Sequence, residues 1–149
     1  DYPGASYAGA TFDMQAFEER ENGRIINCSD AAAILSSYAR MVGLAFRYHI
    51  LTRGTTGFDL NFIRAIGMPA FDETPFDSGR GGFRYHAIVG SPDGSTWDAT
   101  LAVDGDGTPT NTPNTLLLVQ GMDAYDYLVA LSSQASTIST NYDEEVRIR

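Results

Sequence analysis

Between residues 29 and 42 the apolar side chains recur at the spacing of a helix. Ala31, Ile34, Leu35, Tyr38, Met41 and Val42 fall on an i, i+3, i+4, i+7 stripe, while Ser36, Ser37 and Arg40 fall off it. The pattern predicts a helix over 29–42 buried along that stripe. Asn27 or Ser29 can cap its start, Asp30 suits the positive helix end, and Gly43 closes the far end. Upstream, 1–10 is turn-rich. Residues 11–21 read as a short helix capped by Thr11 or Asp13 and broken at Asn22-Gly23.

Past Gly43 the period changes. Residues 44–51 read as a strand, 52–58 as a loop, and 59–66 as a short helix. The stretch 67–82 carries two prolines and four glycines and reads as irregular, and an irregular loop of that length is more often functional than idle. Residues 83–89 and 96–101 read as two strands about the turn Ser91-Pro92-Asp93-Gly94. A Gly/Pro/Thr loop over 103–114, a short strand over 116–119, a helix over 122–133 and a closing strand over 146–148 complete the chain. Helices first and strands later indicate an α+β fold, and nothing divides residues 1–149 into more than one domain.

The hairpin brings chemistry together. With the turn centred on Pro92, Val89 faces Ser95, Ile88 faces Thr96, and His86 faces Asp98. Directly opposed residues share a face of the sheet, so His86 and Asp98 become neighbours. Cys28, the single cysteine, stands at the predicted start of the 29–42 helix, where a thiol loses its proton more readily. Taken by itself it is either a small packing residue or a nucleophile. A nucleophile needs a base, and the chain has two histidines. His49, in Phe46-Arg47-Tyr48-His49, has no carboxylate at hairpin distance and reads as a structural strand residue. His86 has Asp98.

Composition narrows the class of function. The net charge of −9 and a pI near 4.4 argue against a nucleic-acid surface and against electrostatic binding to anionic lipid. No apolar run is long enough to span a bilayer. The chain opens on Asp1 rather than Met, as a processed form or an excised domain would, and no compartment is indicated. All ten basic side chains are arginine, so a cross-linking activity could not ligate the chain to itself through lysine.

The segment Asn27-Cys28-Ser29-Asp30 with the helix, glycine and Arg-bearing strand that follow it resembles the cysteine segment of transglutaminase-like proteins. Tyr85-His86-Ala87-Ile88-Val89, the turn, and Thr96-Trp97-Asp98-Ala99-Thr100 resemble the histidine and aspartate segments of the same family. The likeness runs over about residues 23–100, roughly half of the chain. It implies a papain-like core, with a nucleophile helix packed on an antiparallel sheet. It also implies Cys28 as nucleophile, His86 as general base and acid, Asp98 as orienting residue, and acyl transfer on a peptide or protein substrate through a thioester. No cofactor or metal is implied. Papain-like enzymes place a glutamine six residues before the cysteine as an oxyanion donor; here that position is Asn22. Animal transglutaminases use an upstream tryptophan, whereas the one tryptophan here is Trp97. The expected oxyanion donors are therefore the Cys28 backbone N–H and Asn22.

Asp104 and Asp106 suggest a calcium loop, but the pattern requires a glutamate where Thr115 stands, so a plain acidic turn is expected. Two functional readings remain at this level: a cysteine acyltransferase or amide hydrolase, and a non-catalytic peptide-binding domain on the same fold.

Overall fold

In the computed structural model the described residues are 7–8, 11–19, 26–66, 82–105, 115–142 and 147–148. Their longest strand, β8 (Ser95–Asp104), organises the main sheet. One edge of β8 carries β9 (Leu116–Asp123) from end to end. The other edge is shared by two strands in succession: β7 (Tyr85–Gly90) pairs at Thr96 and Trp97, and β5 (Ile63–Ala65) pairs from Leu101 to Val103. Outside β7 lie β3 (Arg47–Thr52) and then β10 (Ser139–Tyr142), and all these pairings are antiparallel. Two small sheets are separate from it. They join β1 (Tyr7–Ala8), β2 (Thr11–Phe12) and β11 (Arg147–Ile148), and β4 (Phe58–Asp59) with β6 (Gly82–Phe83).

Both faces of the sheet are covered, and strand alternation divides the core in two. Tyr48, Ile50, Ala87 and Val89 face α2 (Cys28–Met41), where they pack with Phe12, Ala32 and Ala33. Leu51, Ile88, Leu101 and Val103 face the other way and pack with Tyr127 and Leu131 of α3 (Ala124–Leu131). Coverage on both sides explains why β7 is buried at every position from His86 to Gly90. The fold is mixed α+β, with helices against an antiparallel sheet, as the order of elements indicates.

The 29–42 helix forms, and the predicted stripe is buried only in its first half, through Ala31 and, partly, Ile34 and Leu35. Tyr38, Met41 and Val42 of the predicted stripe are 45%, 69% and 76% exposed. The buried face carries Ser29, Ala32, Ala33 and Ser36. Small side chains let the helix lie close on β7 and β8, and Ser36 hides its hydroxyl by donating to the Ala33 carbonyl at 3.1 Å. Larger residues on that face would hold the helix off the sheet.

Other expectations shift in the same way. Residues 59–66 are not a helix: Ile63–Ala65 is strand β5, because the C-terminal half of β8 needs an edge partner and pairing outweighs local periodicity. The 11–21 helix shrinks to α1 (Met14–Glu18), preceded by β2. Strand β8 runs on to Asp104, β9 reaches Asp123, and α3 is correspondingly shorter than 122–133. Strand β10 lies in a stretch with no strand signal. Most of 67–82 lies outside the described residues, as does Val146 of the closing strand. Among the described residues no helix is long and apolar enough to cross a membrane.

The small-residue face of α2 yields a paired test. Ala33→Leu forces bulk between helix and sheet and should cost about 1–3 kcal/mol. Met41→Ser should stay within about 0.5 kcal/mol of the native protein. Urea denaturation midpoints measure both, and the reverse order of losses would restore the large-residue stripe as the packed face.

Candidate active site

Asn27 caps α2. Its backbone is extended at φ −99°, its side-chain oxygen accepts from the Asp30 N–H at 2.9 Å, and the Asp30 carboxylate accepts from the Asn27 N–H at 3.4 Å. This reciprocal box makes Cys28 the first helical residue. Its own N–H has no acceptor within the helix, and its side chain stands at the positive end of the helix dipole.

The thiol sits where the central strands part. The β7–β8 ladder consists of Val89↔Trp97 and Gly90↔Thr96, and below that point β7 has no partner on β8. The N–H of Ala87 instead lies beside the Cys28 sulfur, where it favours the thiolate. On the opposite side of the split, β8 bulges against β9: Asp98 pairs with Val119, while Ala102 already pairs with Leu118. The Thr100 N–H leaves the ladder and donates to Asp98 Oδ1 at 2.8 Å, joined by the Thr100 hydroxyl at 2.6 Å. Asp98 therefore lies in the gap between β7 and β5, on a stretch of strand bent by its bulge.

His86 Nε2 meets Asp98 Oδ2 at 2.7 Å, with both side chains shut off from solvent. The same oxygen accepts a second bond from the Tyr127 hydroxyl at 2.8 Å. Phe83 stacks on the imidazole at a centroid distance of 4.9 Å and fixes the plane of the ring. Nδ1 makes no hydrogen bond in the resting structure, and the Cys28 thiol lies near enough for the two groups to shift each other's titration.

The electrostatics follow from these contacts. Burial on its own would raise the Cys28 pKa, but the hydrogen bond and charge of His86, with the Ala87 N–H, bring the thiol below its ordinary 9.0 against a smaller upward push from Asp98. Burial on its own would lower His86, but the charge and hydrogen bond of Asp98, together with Cys28, raise the imidazole to about 10. Asp98 is held below its ordinary 3.8 because His86 and Thr100 outweigh the cost of its burial. Tyr127, buried and facing a carboxylate, is held neutral, well above 10.0. The thiol is pulled down and the imidazole pushed up, so the resting pair is biased toward thiolate and imidazolium.

Cys28, His86 and Asp98 thus come together, although the register that suggested it is displaced. Val89 faces Trp97 rather than Ser95, so His86 and Asp98 are diagonal neighbours rather than directly opposed. The displacement preserves which face each side chain takes, and the parting of the strands leaves room for the contact. His49 faces Ile88 across the sheet and takes no part in this cluster. Asn22 lies outside the described residues, as does Asp106; Asp104 ends β8 opposite Leu116. Among the described residues no cluster of three or more metal-ligating side chains occurs. Strand alternation puts Thr100 on the same face as His86 and Asp98, and the structure adds its two bonds to Asp98. Sequence reasoning missed Tyr127, which is 29 residues away and gave no signal.

A cavity of about 600 Å³ lies on the α3 side of the sheet and contains neither Cys28 nor His86. The hydrogen-bonded cluster rather than the cavity marks the candidate chemistry, because reactivity depends on the positions of donors and acceptors. No protein-family model, curated protein or solved structure matches the chain.

Iodoacetamide alkylation reads the thiol directly. A lowered pKa means that thiolate, and with it the rate, rises at lower pH than for a free thiol, so the midpoint of the pH–rate curve should fall below 9.0. His86→Ala removes the two main lowering influences and leaves burial, so the midpoint should move up past that of a free thiol. A native midpoint at or above 9.0 would make Cys28 a packing residue. Separately, Tyr127→Phe removes a donor from a buried carboxylate and should cost about 1.5–3 kcal/mol in chemical denaturation. A neutral effect would show that the hydroxyl does not support Asp98.

Proposed function

We propose that this chain is a cysteine-dependent acyl-transfer enzyme of the transglutaminase-like kind, built on a papain-like core and acting on peptide or amide bonds. The observation that carries the reading is a thiol at the start of a capped helix, beside an imidazole that is bonded to a buried carboxylate.

In this reading the Cys28 thiolate attacks the carbonyl carbon of the substrate and an oxyanion forms. The Cys28 N–H, free of an intrahelical acceptor, donates to that oxyanion, and Asn22 is the proposed second donor. His86, protonated at rest, gives its proton to the departing amine as the C–N bond breaks, leaving a thioester on Cys28. Water or an incoming amine then gives a proton to His86 and attacks the thioester carbon. The C–S bond breaks, and the thiolate and imidazolium return. Asp98 stays ionised throughout. Its four donors satisfy the charge, and its grip on Nε2 directs Nδ1 at the sulfur.

Water is the favoured acceptor, since it needs no second binding site. The absence of lysine removes one route of self-modification but leaves amine transfer to other molecules open.

A panel of glutamine-containing and ordinary peptides, offered with and without a labelled primary amine, tests the reading. Turnover should vanish in Cys28→Ala and fall by about 10²–10⁴-fold in His86→Ala. Carboxylate release should exceed label incorporation; the reverse would make the enzyme an aminotransferring acyltransferase. Neither product above the Cys28→Ala background would transfer the case to a peptide-binding domain.

A further inference from the structure

The cavity on the α3 side of the sheet has a chemistry that the proposed acyl transfer does not use. Its floor is the sheet face formed by alternate residues of β3, with Ile88 and Gly90 of β7 and Thr96 of β8 beside them. Its roof is α3, through Tyr127 and Leu128, and its rim is the β7–β8 turn. A volume of about 600 Å³ lies within the range of small-ligand sites.

Three features make it selective. First, none of the described residues lining it is acidic, in a chain whose net charge is −9, while Arg47 and His49 both reach it. Second, the register places Gly90 directly opposite Arg47, so on the β7 side no cross-strand side chain covers the guanidinium. Gly90 also provides the space for the His49 ring, which a Cβ at that position would overlap. Third, His49 is held below its ordinary 6.5 by burial and then by the charge of Arg47. At neutral pH the site therefore offers one full positive charge beside a neutral imidazole. The floor deeper in, at Leu51 and Ile88, and the roof at Leu128 are apolar.

We propose that this cavity binds a small monocarboxylate with an apolar tail, its carboxylate on Arg47 beside His49 and its tail against Leu51, Ile88 and Leu128. One cation matches a monoanion, and a guanidinium takes a carboxylate through two parallel hydrogen bonds. The apolar floor and roof account for the tail. The carboxylate belongs either to a free acid or to the C-terminus of a peptide. The site stands apart from Cys28 and does not depend on acyl transfer, although it shares Tyr127 with the Asp98 cluster.

Titration of the chain with hexanoate, followed by amide and methyl NMR shifts, tests the proposal, with 1-hexanol and acetate as comparators. Saturable shifts centred on Leu51, Ile88 and Leu128 are expected, with hexanol and acetate each at least tenfold weaker than hexanoate. Arg47 is exposed, so Arg47→Gln should fold normally, weaken hexanoate tenfold or more and leave hexanol unchanged. Cys28→Ala should bind as the native chain does. A leucine-ending tripeptide with a free C-terminus, compared with its amide, separates the two sources: tighter binding of the free peptide than of hexanoate identifies a peptide end, and weaker binding identifies a free acid. No saturable shift with hexanoate at millimolar concentration, hexanol binding as tightly, or an Arg47→Gln variant with native affinity would each overturn the proposal.

Discussion

A carboxylate at 5% exposure must be hydrogen-bonded or give up its charge, and much of this molecule's geometry answers to Asp98. Its two oxygens receive donors from three elements: His86 on β7, Tyr127 on α3, and the N–H and hydroxyl of Thr100 on the bulged part of β8. The bulge, the gap between β7 and β5, and the inward seat of α3 converge on one buried charge. Removing any single donor would leave part of that charge unsatisfied, which is costlier than the loss of an exposed hydrogen bond. The same arrangement sets the imidazole, because Nε2 is engaged and the ring is clamped by Phe83.

The thiol depends on a second constraint, the closeness of α2 to the sheet. Ser29, Ala32, Ala33 and Ser36 give the helix a thin face, and the Asn27–Asp30 box fixes where it starts. Together they place the Cys28 sulfur against the Ala87 N–H and the His86 ring. A bulkier face would lift the helix, and a looser cap would free the first turn; either would separate sulfur from imidazole. The large apolar residues on the outer side, Tyr38, Met41 and Val42, are the counterpart of that thin inner face.

Covering both faces of one sheet gives the two sides different work. Toward α2 the alternate residues are aromatic, β-branched and small, and they form a packed layer. Toward α3 the layer is interrupted at its β3 end, where Arg47 and His49 take positions that apolar residues would otherwise fill and Gly90 contributes no side chain. Asn61 binds that layer together at the other end, its amide donating to the carbonyls of Val129 and Ala130 in the last turn of α3. Tyr127 belongs to both regions: its ring faces the cavity and its hydroxyl holds Asp98.

What the sequence determined by itself was local. The helix after Asn27, its cap, the turn at Pro92 and the strands either side of it were legible because caps, turns and periodicity act between residues a few positions apart. The pairing of His86 with Asp98 was legible for the same reason: a hairpin keeps its faces even when its register shifts by two, so an imperfect alignment still named the right neighbours. Only the tertiary structure decided which face of α2 is buried, since small residues are chosen by the approach of a sheet that periodicity does not see. It alone turned 59–66 into an edge strand, placed the bulge that frees the Thr100 N–H, and brought Tyr127 from another helix to the same carboxylate. Those outcomes rest on contacts between segments distant along the chain, and burial is a property of the assembled layers rather than of any stretch within them.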